Sequence, residues 1–320
     1  MEKILVTGGA GFIGSSLIEK LLQSQKYFVA AVDNLATGFQ ANLPQVSGPA
    51  FKFIKADANN YEALSTIMLS YRFDFVFHYA AVVGVKKTLE NPIMVLEDIQ
   101  GIKNVLELSK NTGVKKVFFS SSSEVYGEPV ELPQNEHSTP LNSRLPYAIV
   151  KNLGEAYFKS YFQEYGLEYT IFRFFNTYGP KQSPSFVMSK FIKAALGGQD
   201  ITIYGDGSQT RTFCYIDDNI DACVGVFEKH LHTNDVLNVG NDRETSVLEL
   251  ARLVIEKTGS DSKIIFLPPL PEGDMTRRQP DIIKMKSVLK RELLPLEKGI
   301  AKILGSDIFY QLNHIEQRNK

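Results

Sequence analysis

The stretch that most constrains this chain lies at its start, where the apolar run Ile4–Val6 and Thr7 lead straight into Gly8-Gly9-Ala10-Gly11-Phe12-Ile13-Gly14. Glycines at 8, 11 and 14 between a strand and a helix make a phosphate-binding turn. Gly8 forms the tight bend, Gly11 lets backbone amides approach a pyrophosphate, and Gly14 lets the helix lie close on the sheet. The helix N-terminus, here Phe12 and Ile13, favours the anion. A glycine triplet alone can equally serve strand–helix packing. In this chain, however, a second strand ends in Asp33, nineteen residues after Gly14, where a carboxylate can accept hydrogen bonds from an adenosine ribose. The next residue is Asn34 rather than arginine, so a 2′-phosphate would meet repulsion and no cation. The expected cofactor is therefore NAD, not NADP.

The alternation of strand and helix continues. Strands are expected at Lys3–Thr7, Phe28–Asp33, Phe51–Lys55, Phe73–Tyr79, Lys116–Ser121 and Tyr169–Phe174, and helices at Phe12–Gln23, Pro92–Asn111 and Tyr147–Tyr165. In the first helix Ile13, Leu17, Ile18, Leu21 and Leu22 share one face. Apolar strands separated by such helices give a parallel sheet covered on both sides, an α/β fold of the Rossmann-type doubly wound kind. After Asn176 the regularity lapses in the loop Gly179–Pro184 and resumes in short elements that include Ile201–Tyr204, Val236–Val239 and Ile264–Leu267. The chain thus reads as an NAD-binding domain over 1–176 and a smaller, mainly substrate-binding C-terminal α/β domain over 177–320. A return to the first domain is open around 210–240.

Composition narrows the partners. With 35 basic against 36 acidic residues the net charge is −1, which gives no reason to expect nucleic acid or an anionic membrane, so any phosphate must be held by a local site. The apolar run near the N-terminus is too brief for a signal peptide or a spanning helix, and a cytoplasmic location is the default expectation. Cys214 and Cys223 form no CxxC pair and no histidine spacing suggests zinc, so no metal is expected.

The fifth strand runs into Ser120-Ser-Ser-Ser-Glu-Val-Tyr-Gly127, and twenty-five residues beyond Ser122 stands Tyr147, followed by Lys151. A four-residue step puts the phenol and the ammonium on one helical face. A nearby positive charge favours phenolate, which is expected to lower the tyrosine pKa and let it act as a base near neutral pH. Ser122 can hydrogen-bond the same reacting oxygen. A YxxxK pair alone is common on solvated helices; its weight here comes from the cofactor turn upstream.

Taken together, TGGAGFIGS (Thr7–Ser15), DNLATG (Asp33–Gly38), HYAA (His78–Ala81), SSSSEVYG (Ser120–Gly127), YAIVK (Tyr147–Lys151), RFFNTYGP (Arg173–Pro180), ITIYGDGSQTRTFCYIDD (Ile201–Asp218), NVG (Asn238–Gly240) and RRQPD (Arg277–Asp281) resemble the extended short-chain dehydrogenase/reductases, specifically the NAD-dependent epimerase/dehydratase group that acts on sugar nucleotides. The resemblance covers nearly the whole chain. It implies that Tyr147 takes the proton of a sugar C4 hydroxyl as hydride leaves, with Ser122 aligning that hydroxyl and Lys151 holding the nicotinamide ribose. It further implies that Asp57 and Ala58 of KADANN flank the adenine, that Ala80 and Ala81 line the pyrophosphate and ribose, and that Asn176, Arg211 and Arg278 grip a nucleotide diphosphate. Two guanidiniums and an amide suit such oxygens.

Glu124 bears on the fate of the oxidised sugar. In the group, 4-epimerases usually carry a small residue there, 4,6-dehydratases resemble TDEVYG and UDP-glucuronate decarboxylases resemble TSEVYG. This chain, with Ser122-Ser123-Glu124, is most similar to the decarboxylases. It departs from them in Ser122, where they carry threonine, and in the segment Ala81–Lys87, where they show a proline-containing loop. A 4-epimerase, a net C4 dehydrogenase and a non-catalytic NAD-binding protein are the alternatives. The resemblance also implies a homodimer built on the helices Pro92–Asn111 and Tyr147–Tyr165, with Val105, Leu106, Tyr157, Phe158, Tyr161 and Phe162 as its apolar contributors.

Overall fold

A computed structural model describes residues 1–46, 48–84, 88, 90–269 and 277–318. The first half runs β1 (Glu2–Thr7), α1 (Phe12–Gln23), β2 (Tyr27–Asp33), β3 (Phe51–Lys55), α2 (Tyr61–Tyr71), β4 (Phe75–His78), α3 (Pro92–Leu96), α4 (Asp98–Thr112), β5 (Lys116–Ser122), α5 (Pro146–Tyr165) and β6 (Glu168–Phe174). The second half adds β7 (Thr177–Tyr178), α6 (Val187–Leu196), β8 (Ile201–Tyr204), β9 (Thr210–Thr212), β10 (Cys214–Tyr215), α7 (Ile216–Glu228), β11 (Asp235–Val239), β12 (Glu244–Ser246), α8 (Val247–Thr258), β13 (Ile264–Leu267), α9 (Ile283–Leu289), α10 (Leu296–Leu304) and α11 (Asp307–Arg318).

Seven parallel strands form the main sheet in the order β11-β6-β5-β4-β1-β2-β3. Successive side chains of a strand point to opposite faces, and here both faces are covered. Ile4, Val6, Phe77, Phe118 and Phe172 pack on one side, while Leu5, Val76, Val117, Phe119 and Ile171 pack on the other. The chain leaves β1 outward through β2 and β3, then returns to place β4 on the other side of β1. A crevice opens where the order reverses, at the carboxyl ends of the strands.

The helix expected over Pro92–Asn111 is two elements, yet Glu97 between them keeps helical geometry (φ −64°, ψ −22°), so the interruption is slight. Val236–Val239, grouped by sequence with the short elements of the second half, belongs to β11 and is the edge strand of the main sheet, paired to β6. Its apolar Val236, Leu237 and Val239 bury on the sheet that the first half leaves open beside β6. Helix α7 also returns to that sheet: the Phe227 ring meets Phe75, Phe77 and Phe118 edge-on at 4.9, 5.6 and 5.7 Å. Outside the main sheet, β8 with β13, β9 with β12 and β7 with β10 form two-stranded pieces. Among the described residues no helix is long and apolar enough to cross a membrane.

Candidate active site

At the carboxyl ends of the strands lies a cavity of about 600 Å³. One end is built on the glycine turn. Gly8 sits at φ +70°, and a Cβ there would lie 2.7 Å from the backbone of Tyr79 and Ala80, so the close approach of β1 to β4 demands glycine. A Cβ on Gly14 would collide with the Gly8 carbonyl oxygen. No side chain caps α1, whose first-turn amides therefore lack an internal acceptor and adjoin the cavity. At the end of β2, Asp33 accepts hydrogen bonds from the Ala10 amide (3.0 Å) and the Leu35 amide (2.7 Å). Burial pushes its carboxyl above the ordinary range, and these two amides oppose the shift. Asn34 donates to Asp57 at 2.9 Å, and Asp57 also accepts the Asn59 amide at 2.8 Å. Uncapped amides, a cradle that a Cβ would fill and a fixed carboxylate beyond it are the donor and acceptor set of a dinucleotide site.

A family model described as the NAD dependent epimerase/dehydratase family matches residues 4–240. The chain belongs to this family. This enzyme of the epimerase/dehydratase family is thus NAD-dependent. It is 37% identical over 303 residues to UDP-N-acetyl-alpha-D-glucosaminuronate decarboxylase of Bacillus cytotoxicus, a match covering 90% of this chain and 91% of that one. It is 35% identical over 312 residues to UDP-glucuronic acid decarboxylase 1 of Xenopus tropicalis, covering 95% and 71%. The structure of UDP-glucose 4-epimerase from Thermotoga maritima, solved with UDP-glucose, superposes with a TM-score of 0.89 at 34% identity, covering 98% and 99% of the two chains.

The other end of the enzyme's cavity is made by β5, the 3₁₀ turn Ser123–Tyr126 and the start of α5. Ser122 accepts the Glu124 amide at 3.2 Å through its hydroxyl, and that hydroxyl also hydrogen-bonds Tyr147. Lys151, only 3% exposed, holds its ammonium 4.9 Å from the Phe119 ring centroid and 5.8 Å from that of Tyr147. Burial pulls its pKa down to about 8, against the charge of Asp98. The phenol of Tyr147 corrects the sequence expectation. Burial, and then the Glu124 charge, push it above its ordinary range, outweighing the Ser122 hydrogen bond and Arg278, which act downward. Desolvation at this position favours the neutral phenol before any ligand charge enters. Glu124 and Arg278 face each other across the cavity wall as an ion pair at 2.8 Å.

Every sequence-derived candidate except Arg211 lines this cavity. Arg211 is buried on β9, where it donates to the Thr210 carbonyl at 2.8 Å, and it is not part of the wall. Asn176 does line it, in left-handed backbone geometry at φ +37°, with its side-chain nitrogen buried and lacking a hydrogen-bond partner among the described residues. Of the segment Ala81–Lys87, residues 81–84 border the cavity, while Val85, Lys86 and Lys87 lie outside the described residues.

Several further wall residues are given no role by the sequence. Asp98, in the first turn of α4, accepts the Val82 amide at 2.6 Å and faces Lys151. His78 shares a 2.8 Å hydrogen bond with Thr7 and is pushed down to about 3 by burial and then by the Lys151 charge, so it is a neutral structural group. Lys181 reaches the cofactor end from the loop after β7. Below the floor, Glu155 lies one turn beyond Lys151, accepts the Ser121 hydroxyl at 2.6 Å and pairs with both arms of Arg173 at 2.9 and 2.6 Å. Arg173 also donates to the Tyr126 hydroxyl at 2.7 Å and to the Glu136 carbonyl at 3.1 Å. This pair ties β5, α5 and β6 together beneath the reacting groups.

Proposed function

We propose that this enzyme oxidises the C4 hydroxyl of a nucleotide-diphosphate sugar to a ketone and then carries out chemistry at C5 and C6, as a UDP-glucuronate decarboxylase does. The observation that carries the reading is the Glu124–Arg278 pair in the cavity wall beside Tyr147. A half-buried carboxylate held by a buried guanidinium beside the reacting hydroxyls is a group that simple hydride shuttling at C4 does not require.

Asp33, the first-turn amides of α1 and Lys151 would hold NAD in the cleft, where it would supply the hydride acceptor and a positive charge that favours phenolate at Tyr147. Tyr147 then takes the C4 hydroxyl proton, with Ser122 holding that oxygen in place. Asn176 and Arg278 grip the diphosphate side of the substrate. Arg211 has no place in the wall, so this reading gives it no part in binding. With a ketone at C4, a C6 carboxylate is β to a carbonyl. The C5–C6 bond breaks, carbon dioxide leaves, and the electron pair moves to the C4 oxygen as an enolate. Glu124 manages the proton that C5 must then receive, before C4 is reduced again.

Incubation with UDP-glucuronate, UDP-glucose and their 2-acetamido counterparts, followed by mass spectrometry, tests this. The expected product is the uronate lighter by one carbon dioxide. A product of unchanged mass inverted at C4, from the neutral sugars alone, would establish a 4-epimerase instead.

We further propose a homodimer packed through α3 and α5. Ile93, Leu96, Ile149, Leu153, Phe162 and Tyr165 are exposed on these helices. Val105, Leu106 and Phe158, assigned by sequence to that interface, are core residues packed on the sheet.

A further inference from the structure

One side chain from the second half of the chain fastens the two walls of the cofactor end together. The loop Gly179–Pro184 follows β7, and the Lys181 ammonium in it donates to Glu19 at 2.7 Å, to the Asn42 carbonyl at 2.9 Å and to the Ser15 hydroxyl at 3.3 Å. Its three protons meet three acceptors, and the side chain is 10% exposed. Ser15 and Glu19 belong to α1, whose N-terminus is the phosphate-binding turn. Asn42 braces that same turn: its amide donates to the Ala10 carbonyl at 2.9 Å, beside the Phe39 amide at 3.0 Å. The Ala10 amide in turn donates to Asp33. A continuous run of hydrogen bonds thus links Lys181 to the carboxylate at the end of β2.

The loop itself is anchored. Gln182 donates to the Thr177 carbonyl at 2.7 Å and accepts the Ser189 hydroxyl at 3.1 Å. A Cβ on Gly179 would lie 2.7 Å from Ile216 and 3.2 Å from the Phe12 ring, so the loop rests directly on a residue of the cofactor wall. Burial pulls the Lys181 ammonium below its ordinary range, with Glu19 opposing. An ammonium is retained in such a place only when its hydrogen bonds are fully made.

We propose that Lys181 is a strap that retains the cofactor, holding the 179–184 loop against α1 and the 40–42 turn so that NAD stays enclosed from one turnover to the next. The inference rests on NAD occupying the cleft and holds whichever reaction C4 oxidation leads into. Lys181→Met preserves the length of the side chain and removes all three hydrogen bonds. In holoenzyme loaded with labelled NAD and chased with unlabelled NAD, the variant should release label roughly tenfold faster or more, since charged hydrogen bonds act mainly on dissociation. Thermal unfolding of the cofactor-free protein is measured in parallel, because a merely structural lysine would lower that temperature and leave the release rate alone. A folded Lys181→Met with the parental rate overturns the strap. If that variant does not fold, Glu19→Gln breaks the ion pair while leaving the Ser15 and Asn42 contacts, and a severalfold faster release is expected; an unchanged rate there overturns it equally.

Discussion

Lys151 is held between two opposing effects, burial that drives off its proton and the Asp98 carboxylate that keeps it, with a net pKa of about 8. In the proposed mechanism the ammonium is the form that favours phenolate at Tyr147, so activity is expected to fall as pH rises through about 8. Asp98→Asn keeps an acceptor for the Val82 amide and removes the charge. The alkaline limb of kcat/KM should then move to lower pH by about one unit, and a limb that stays in place would show that Asp98 does not act on Lys151. The same depression has a consequence for stability. Between about 8 and the ordinary 10.5 the unfolded chain binds the Lys151 proton and the folded chain does not, so this group makes stability rise with pH in that window. Tyr147→Phe removes one hydroxyl from a wall that otherwise packs unchanged. Turnover should fall by roughly a hundredfold or more, as for loss of a general base, with NAD binding retained by calorimetry. Glu124→Gln distinguishes the reaction classes. Loss of about a hundredfold with NADH and a 4-keto sugar accumulating is expected when chemistry continues at C5; full activity with an unchanged product would leave only C4 chemistry.

The strands and α5 depend on one another through the buried Arg173–Glu155 pair, exposed 2% and 1%. Removing one partner of such a pair strands a charge in the interior, whereas replacing both by apolar groups is far milder. Arg173→Met should therefore lower the unfolding free energy by about 3–5 kcal/mol in denaturant titration, and Arg173→Met with Glu155→Leu should recover part of it. Equal losses in both proteins would show that packing, not charge, dominates. The strands themselves could be read in sequence because each is an apolar run bounded by turn residues, and α1 because its apolar residues recur at helical spacing. Val236–Val239 could be read as a strand but not placed. Its partner β6 is more than sixty residues earlier, and nothing local distinguishes an edge strand of the large sheet from one in a two-stranded piece.

For the molecule as a whole, the exposed apolar residues of α3 and α5 predict self-association: light scattering at micromolar concentration should give the mass of two chains. Leu153→Glu, which puts a charge on a 45% exposed position, should give the mass of one while leaving the fold intact. A monomeric parent protein would reject that surface as an interface. Local chemistry already determined much of this protein in the linear sequence. A glycine turn followed by a helix and then by Asp33 specifies a dinucleotide cleft, because backbone amides, a steric vacancy and a carboxylate are set by residue type and short spacing. Tyr147 and Lys151 are likewise neighbours through one helical turn. What joins distant segments could be decided only by tertiary structure. Asp98 meets Lys151, Lys181 meets Glu19, and Glu124 meets Arg278 because the sheet order and the returning second half bring them together. Arg211, by contrast, is buried on β9 away from the wall. The direction of the Tyr147 shift was beyond the sequence for the same reason, since desolvation depends on everything packed around a group and not on its neighbours along the chain.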